Sequence, residues 1–274
     1  MTNHKQKIRL TPEQETLLIT LYSKALGCPD SLFADEKSRE ILEQIDYDFS
    51  LLKVPVGTRL TVCIRAKKID DYVIDFLADH PEGLVIHLGC GLDTRYTRVD
   101  NGNVEWYDLD MQEVIDLRRN FYQETDKYHM IASSVTNLGW LERIPSRGRT
   151  TMVIAEGLMM YLTEEEARAL ILKLKDTYPG CEFVFDAYST LTARSVKAHP
   201  SLKRTGAVIH WGIDDAHAIE KWGDRIQLKE EWYFTRSESI KTLALGYRLI
   251  FRLTGLFLIA RRAHRILYYT LSSP

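Results

Sequence analysis

Several familiar routes to a function are closed by what this sequence of 274 residues lacks. Its four cysteines, Cys28, Cys63, Cys90 and Cys181, stand far apart with no Cys-x-x-Cys pair. That spacing offers neither a zinc knuckle nor a disulfide framework, and reduced thiols in a cytoplasmic protein without a metal are expected. Charge of one sign is missing too: 36 basic and 38 acidic residues leave a formal charge of −2, so there is no basic footprint for nucleic acid. No apolar run reaches the ~20 residues a membrane span needs, and the polar start carries no secretory apolar segment. Internal repeats, low-complexity tracts and long linkers are likewise absent. What is present is 45% apolar residues, enough to bury one large core.

The pattern along the chain predicts strands alternating with helices. Thr11-Pro12-Glu13-Gln14 combines an N-cap, a first-turn proline and a capping-box glutamine, predicting a helix from about Pro12 to Gly27 that buries Leu17, Leu18, Leu21 and Tyr22. Further helices are expected over Glu36–Ile45 and Leu60–Leu77. Strands are expected near Leu84–Leu88, Val104–Asp108, His129–Ala132, Met152–Ala155 and Glu182–Asp186. Between them lie helices at Gln112–Glu124, around Leu138–Glu142 and at Glu164–Tyr178, the last with its own capping box from Thr163 to Glu166. Short apolar strands alternating with helices mean a mostly parallel sheet covered on both faces. Residues from Tyr188 to Gly223 lose clean periodicity and read as a lid or substrate insertion. The chain closes with a strand at Arg225–Phe234, a helix near Glu238–Ala260 and a strand at Arg265–Leu271.

The most informative stretch is Val85-Ile-His-Leu-Gly-Cys-Gly-Leu-Asp-Thr-Arg95, a strand entering a glycine turn that opens a helix. Gly89 and Gly91 remove side chains that would keep a ligand from the backbone, and helix-start amides point outward there. A dinucleotide turn has a third glycine where this chain has Thr94. Asp93 beside the turn is a poor host for a diphosphate, because like charges repel. The turn suits a ligand with a ribose and no phosphate, and S-adenosyl-L-methionine fits that description.

Other residues extend this site. The second strand ends in Trp106-Tyr107-Asp108-Leu109-Asp110, where an acidic residue accepts hydrogen bonds from ribose hydroxyls. Asp108 is the expected partner, and Asp110 is expected to cap the following helix. Ser133, Ser134 and Val135 follow the third strand, where adenine edges are read in such folds. Glu156 lies in an apolar run and must face a cation, either the ammonium of a bound methionine tail or a structural arginine. Met159 and Met160 read as core filling.

The glycine turn GCGLDTR, the YDLD strand end, AEGLMMYL and the later HWGIDD together resemble the leucine carboxyl methyltransferase family, most closely its bacterial branch of polyketide O-methyltransferases of the tetracenomycin type. The resemblance spans about Leu60 to Trp222. It implies a class I S-adenosylmethionine-dependent fold in a single domain: N-terminal helices over 1–80, a cofactor-binding core over 83–187, a lid over 188–224 and a closing segment over 225–274. A seven-stranded sheet with its last strand antiparallel is typical. The resemblance also implies that Gly89, Cys90, Gly91 and Asp93 shape the cofactor site, with Asp108 and Leu109 at the ribose and Ser134 and Val135 near adenine. Glu156 would lie near the methionine amine and Arg65 would meet the methionine carboxylate. Two positions depart from the family pattern: Asp108 replaces a glutamate, and Ser134-Val135 replaces an Asp-Leu pair.

The implied activity is O-methyl transfer to a carboxylate or hydroxyl of a small, polyketide-like molecule. A carboxylate, with pKa near 4, is ionised at pH 7, whereas a phenol near 10 benefits from a general base. His210 beside Trp211 is the candidate base. Tyr161, Tyr188 and Arg194 are candidate acceptor contacts, His87 reads as a core residue, and His199 and His217 fall in the lid. Competing readings are methylation of a protein C-terminus, a cofactor-binding partner without turnover, and an NAD(P)-dependent oxidoreductase. A homodimer is an open option. The apolar, arginine-studded stretch from Tyr247 to Ala260 is expected to pack on the sheet with its arginines at the rim, the alternative being a helix lying on a membrane surface.

Overall fold

Seven apolar segments pair into one sheet in a computed structural model that describes residues 6–7, 15–26, 29, 32–196 and 208–272. The strands are β1 (Leu84–Leu88), β2 (Glu105–Asp110), β3 (Tyr128–Ala132), β4 (Thr151–Ala155), β5 (Cys181–Tyr188), β6 (Ile226–Tyr233) and β7 (His264–Leu271). Their order across the sheet is β3-β2-β1-β4-β5-β7-β6. The first five run parallel, and β7 is antiparallel to both of its neighbours. Every residue of β1 and β4 is buried, as expected for strands covered on both faces. The expected doubly wound sheet with one antiparallel strand is the one observed.

One core layer joins Val85, Trp106 and Ile154 to α1 (Glu15–Leu26), α2 (Glu36–Gln44) and α3 (Val56–Asp79). The opposite layer joins Ile86, Val153 and Phe183 to α6 (Glu164–Thr177), which follows the short helices α4 (Arg95–Val99) and α5 (Gln112–Arg118). The Thr163 side chain and Glu166 form the expected reciprocal capping box at the start of α6. The turn Thr11–Gln14, by contrast, lies outside the described residues.

Several boundaries differ from expectation. α3 starts a turn earlier than Leu60, directly after Pro55 at its N-cap. α5 stops at Arg118 rather than Glu124, because the Arg118 side chain turns wholly into the core and Phe121 N–H bonds back to the Arg118 carbonyl at 2.9 Å. The insertion forms α7 (Thr190–Val196) and a 3-10 turn at Ala216–Trp222, with Trp211 stacked on Trp222 and buried. His199 lies outside the described residues. The late helix splits into a 3-10 turn at Glu238–Thr242, α8 (Leu245–Leu256) and α9 (Leu258–Arg262), and neither α8 nor α9 buries a residue. The helix expected to pack with its arginines at the rim does rest Tyr247 and Phe251 on the core, but it leaves most of its apolar residues exposed. Cys63 is disulfide-bonded, against the expectation of four reduced thiols, while Cys90 and Cys181 are free and buried. No helix among the described residues is long and apolar enough to cross a membrane.

Candidate functional site

A cavity of about 880 Å³ opens at the carboxyl ends of β1, β2, β4 and β5, roofed by α1 and α3. This is where parallel α/β sheets place their ligands, since the strand order reverses between β1 and β4. The glycine turn forms its floor. Gly89 and Gly91 have φ of 62° and 52°, and a Cβ on Gly89 would stand 3.1 Å from Leu158 Cδ1. Only glycine holds that backbone without strain or collision.

The carboxylate at the end of β2 is not the one expected. Asp110 lines the cavity, its Oδ2 accepting the Gly91 N–H at 2.7 Å and its Oδ1 the Met111 N–H at 2.7 Å. Asp108 is wholly enclosed instead. It accepts from Trp106 Nε1 at 2.8 Å and the Tyr128 hydroxyl at 2.5 Å, and pairs with Arg118 at 2.5 Å. Arg118 in turn donates to the carbonyls of Gly91 and Asp93 at 3.1 and 2.7 Å, so Asp108 braces the glycine turn from beneath. The physical reason is register: β2 runs to 110, and two residues along a strand are about 7 Å, which carries position 108 below the crevice. Burial pushes the Asp108 carboxyl up, but Arg118 with hydrogen bonds from His87 and Tyr128 outweighs it and holds it at about 2. Burial raises the Asp110 carboxyl, the two amide donors opposing.

The remaining expected residues divide. Gly89, Cys90, Gly91, Asp93, Arg65 and Glu156 all line the cavity. Leu109 faces the opposite core layer, Val135 is buried beneath Trp140, and Ser134 bonds Thr136 at 2.8 Å, so none of these three reaches the cavity wall. Met111 and Val114 line it beside Asp110. Thr94, at the third-glycine position, donates to Asp35 at 2.5 Å and caps no ligand-facing helix start.

The arginine alternative for Glu156 is the one observed. Arg65 Nε donates to Glu156 Oε1 at 2.9 Å, and Arg95 donates to the other oxygen. Arg65 also donates to Asp186 at 2.8 Å, while Lys24 and Arg95 hold Asp93 at 2.9 and 2.8 Å. Burial raises the carboxyls of Glu156, Asp93 and Asp186, yet these cations bring each well below the usual range. The wall is thus an alternating lattice of buried charges, each with an opposite partner, which is the condition for keeping ions out of water.

Tyr161, Tyr188 and His210, the candidate acceptor contacts and base, all line this cavity. Burial raises the phenols of Tyr161 and Tyr188. Arg194 is exposed away from the wall, and His217 is exposed with its ring on Glu220 at 2.8 Å. His87 is buried but does reach the wall, 3.5 Å from Asp108. Sequence reading missed Lys24 and His264. Lys24 shares a helical face with Leu17 and Thr20, a spacing that signals it once α1 is known to roof the site. His264 opens β7 and donates from Nε2 to Asp186 Oδ2 at 2.7 Å, its ring 4.6 Å from that of Tyr188. Burial lowers its pKa, Asp186 opposing. Nothing local in sequence marks it, because the antiparallel pairing of β7 with β5 brings it there.

Comparison with known proteins places the chain in a family and a fold. The sequence model of the leucine carboxyl methyltransferase family matches residues 32–175. The chain is 38% identical to the tetracenomycin polyketide synthesis O-methyltransferase of Streptomyces glaucescens, over 97% of this chain and 99% of that protein. It is 29% identical to an S-adenosyl-L-methionine-dependent methyltransferase of Gibberella zeae, over 85% of this chain and 86% of the other. Among solved structures, a DUF574 family protein from Streptomyces avermitilis matches with TM-score 0.58 at 11% identity, covering 96% of this chain and all of that one. Magnesium protoporphyrin IX methyltransferase from Synechocystis matches with TM-score 0.51 at 14% identity, covering 97% of this chain and all of that one. These two show the shared fold.

Proposed function

The chain belongs to the leucine carboxyl methyltransferase family, and from that footing we propose how its cavity carries out O-methyl transfer to a small molecule. The enzyme is an S-adenosyl-L-methionine-dependent O-methyltransferase, releasing S-adenosyl-L-homocysteine. The donor's chemistry fits the residues present: a glycine cradle without diphosphate features, a carboxylate at the end of β2, and buried charges of both signs. When bound, it supplies a methyl group on a sulfonium that departs readily as a thioether.

Within that framework Asp110 accepts the ribose hydroxyls, and Gly89, Cys90 and Gly91 let the nucleoside lie against the backbone. Arg65 and Lys24 face the methionine carboxylate, and Glu156, held by Arg65 and Arg95, sets the position of Arg65 rather than receiving the ammonium. Asp108 and Arg118 act through the turn they brace. Met160, Ile209 and Leu17 give the wall an apolar surface for a polyketide-like acceptor, in the manner suggested by the Streptomyces glaucescens relative. A volume of about 880 Å³ sits near the top of the ~300–1,000 Å³ usual for small-molecule sites, room for a nucleoside and a second ligand. The protein's contribution is alignment and exclusion of water.

His264 supports a hydroxyl acceptor. Its Nε2–H is committed to Asp186, which leaves Nδ1 as the acceptor able to take a phenolic proton. A carboxylate acceptor is the second reading, favoured by the family's own activity, and needs no base. We place the enzyme in the cytoplasm, acting on small molecules without nucleic acid or a metal, as a monomer or homodimer.

The observation that carries the proposal is Asp110 hydrogen-bonded to the glycine turn inside a cavity large enough for two ligands. The test is transfer of labelled methyl groups to a panel of phenols and aromatic acids, with calorimetry of S-adenosylmethionine and NAD alongside. Binding of the former with turnover of some acceptor is expected. Binding without turnover across the panel would make the protein a cofactor-binding partner, and preference for NAD would overturn the assignment.

A further inference from the structure

The helical pair α8–α9 is covered least where its residues most need cover. At 100° per residue, Leu245, Leu256, Leu249, Leu253, Phe257 and Ile250 spread over an arc of about 140° on one side. All six are at least half exposed, with Leu245 at 78% and Leu256 at 77%. The opposite side carries Tyr247 and Phe251, which pack on the core beneath. The helix is therefore apolar both inward and outward, whereas an ordinary surface helix turns a polar face to water. Leu258 and Ile259 extend the outward patch through α9 at 50% and 70% exposure.

Charge decides what covers this patch. Arg248 and Arg252 border the apolar arc one turn apart, Lys241 precedes it, and Arg261 and Arg262 end it. From Ser239 to Ser272 there is no acidic residue. A second copy docking face to face would set these arginines against their own counterparts with no carboxylate on the helices to receive them. An anionic surface with an apolar layer beneath matches both features. With twelve residues α8 is about 18 Å long, too short to span the ~30 Å hydrocarbon layer, so it would lie in the plane of the interface. We propose that Leu245–Arg262 docks the protein on a bilayer surface carrying anionic lipids, the apolar arc entering the acyl boundary and the arginines meeting headgroups. The segment runs directly into His264 on the cavity wall, so docking sets that wall beside the lipid.

The test is co-sedimentation of the full chain with phosphatidylcholine vesicles with and without phosphatidylglycerol. Partition onto the anionic vesicles is expected, falling about tenfold or more at high salt and in Leu253→Glu/Phe257→Glu. Arg248→Gln/Arg252→Gln should weaken binding to anionic vesicles while keeping whatever partition neutral vesicles support. Far-ultraviolet circular dichroism should be unchanged, because all four side chains point outward. Failure of the wild type to bind phosphatidylglycerol vesicles, or equal binding by the Leu253→Glu/Phe257→Glu protein, would overturn the proposal. So would a concentration-dependent dimer abolished by those two substitutions without vesicle binding, which would assign the patch to a second copy. Methyl transfer in detergent-free buffer is read separately, so the outcome does not depend on the acceptor assignment.

Discussion

At the scale of single residues, two aspartates on one strand divide between cavity wall and buried support. Asp110 reaches the cavity while Asp108 holds Arg118 in a sealed pocket, so their substitutions should part company. Asp110→Asn is expected to leave the melting temperature nearly unchanged but to weaken S-adenosylmethionine binding about 10–100-fold, the loss of charged hydrogen bonds worth roughly 1.5–3 kcal/mol. Asp108→Ala should cost about 3–5 kcal/mol of stability by leaving a buried guanidinium unpaired. Calorimetric titration and thermal denaturation of both variants check the contrast, and equal cofactor loss at equal stability would contradict it. His264 has a sharper signature. His264→Gln is expected to lower kcat on phenolic acceptors about 10²–10⁴-fold and flatten the acid limb of the pH profile. S-adenosylmethionine affinity and turnover of carboxylic acids should persist. An equal fall for both acceptor classes would make His264 a structural residue only. That the glycine turn, Glu156, Tyr161, Tyr188 and His210 line the cavity was legible because loops and apolar runs expose odd residues. Asp110 was misread because the site depends on strand length to within one residue.

At the scale of elements, local chemistry accounts for most boundaries. Thr163 and Glu166 satisfy each other's orphan amides at the start of α6, and Thr163→Ala should lower stability by about 1 kcal/mol with methyl transfer unaltered. Denaturant unfolding measures it, and a shift under a few tenths would show the cap is redundant. Strand positions were readable as apolar runs because burial on both faces demands them. The end of α5 and the break between α8 and α9 were not, since a buried Arg118 and an uncovered helix are outcomes of packing rather than of periodicity.

Across the whole molecule, the cavity wall ties N-terminal helices to the sheet through ions, and that has a pH consequence. Asp108, Asp93, Glu156 and Asp186 all carry depressed folded values. A depressed carboxyl contributes its full stability above its unfolded pKa and loses it as pH falls through the folded one. For Asp108 that window runs from about 4 down to about 2. Unfolding free energy should therefore be level near neutrality and fall steeply below pH about 4.5, with the α1–α3 region releasing along with the sheet. Fluorescence-monitored denaturation across that range would show it, and a flat profile down to pH 3 would mean the lattice adds nothing net.

Alternating apolar strands and helices, a glycine turn unsuited to diphosphate and a capping box were enough for the sequence alone to determine a mostly parallel sheet covered on both faces and a ribose-bearing ligand, while the class I methyltransferase type followed from the family resemblance. These are local signals, set by periodicity and by backbone conformations only glycine adopts. Which aspartate meets the cavity, which histidine from the last strand joins its wall, and which face of the last helices stays bare were decided only by the tertiary structure. Each depends on register or on contacts between residues tens to hundreds of positions apart, such as Arg65 with Asp186, and no window along the chain contains both partners.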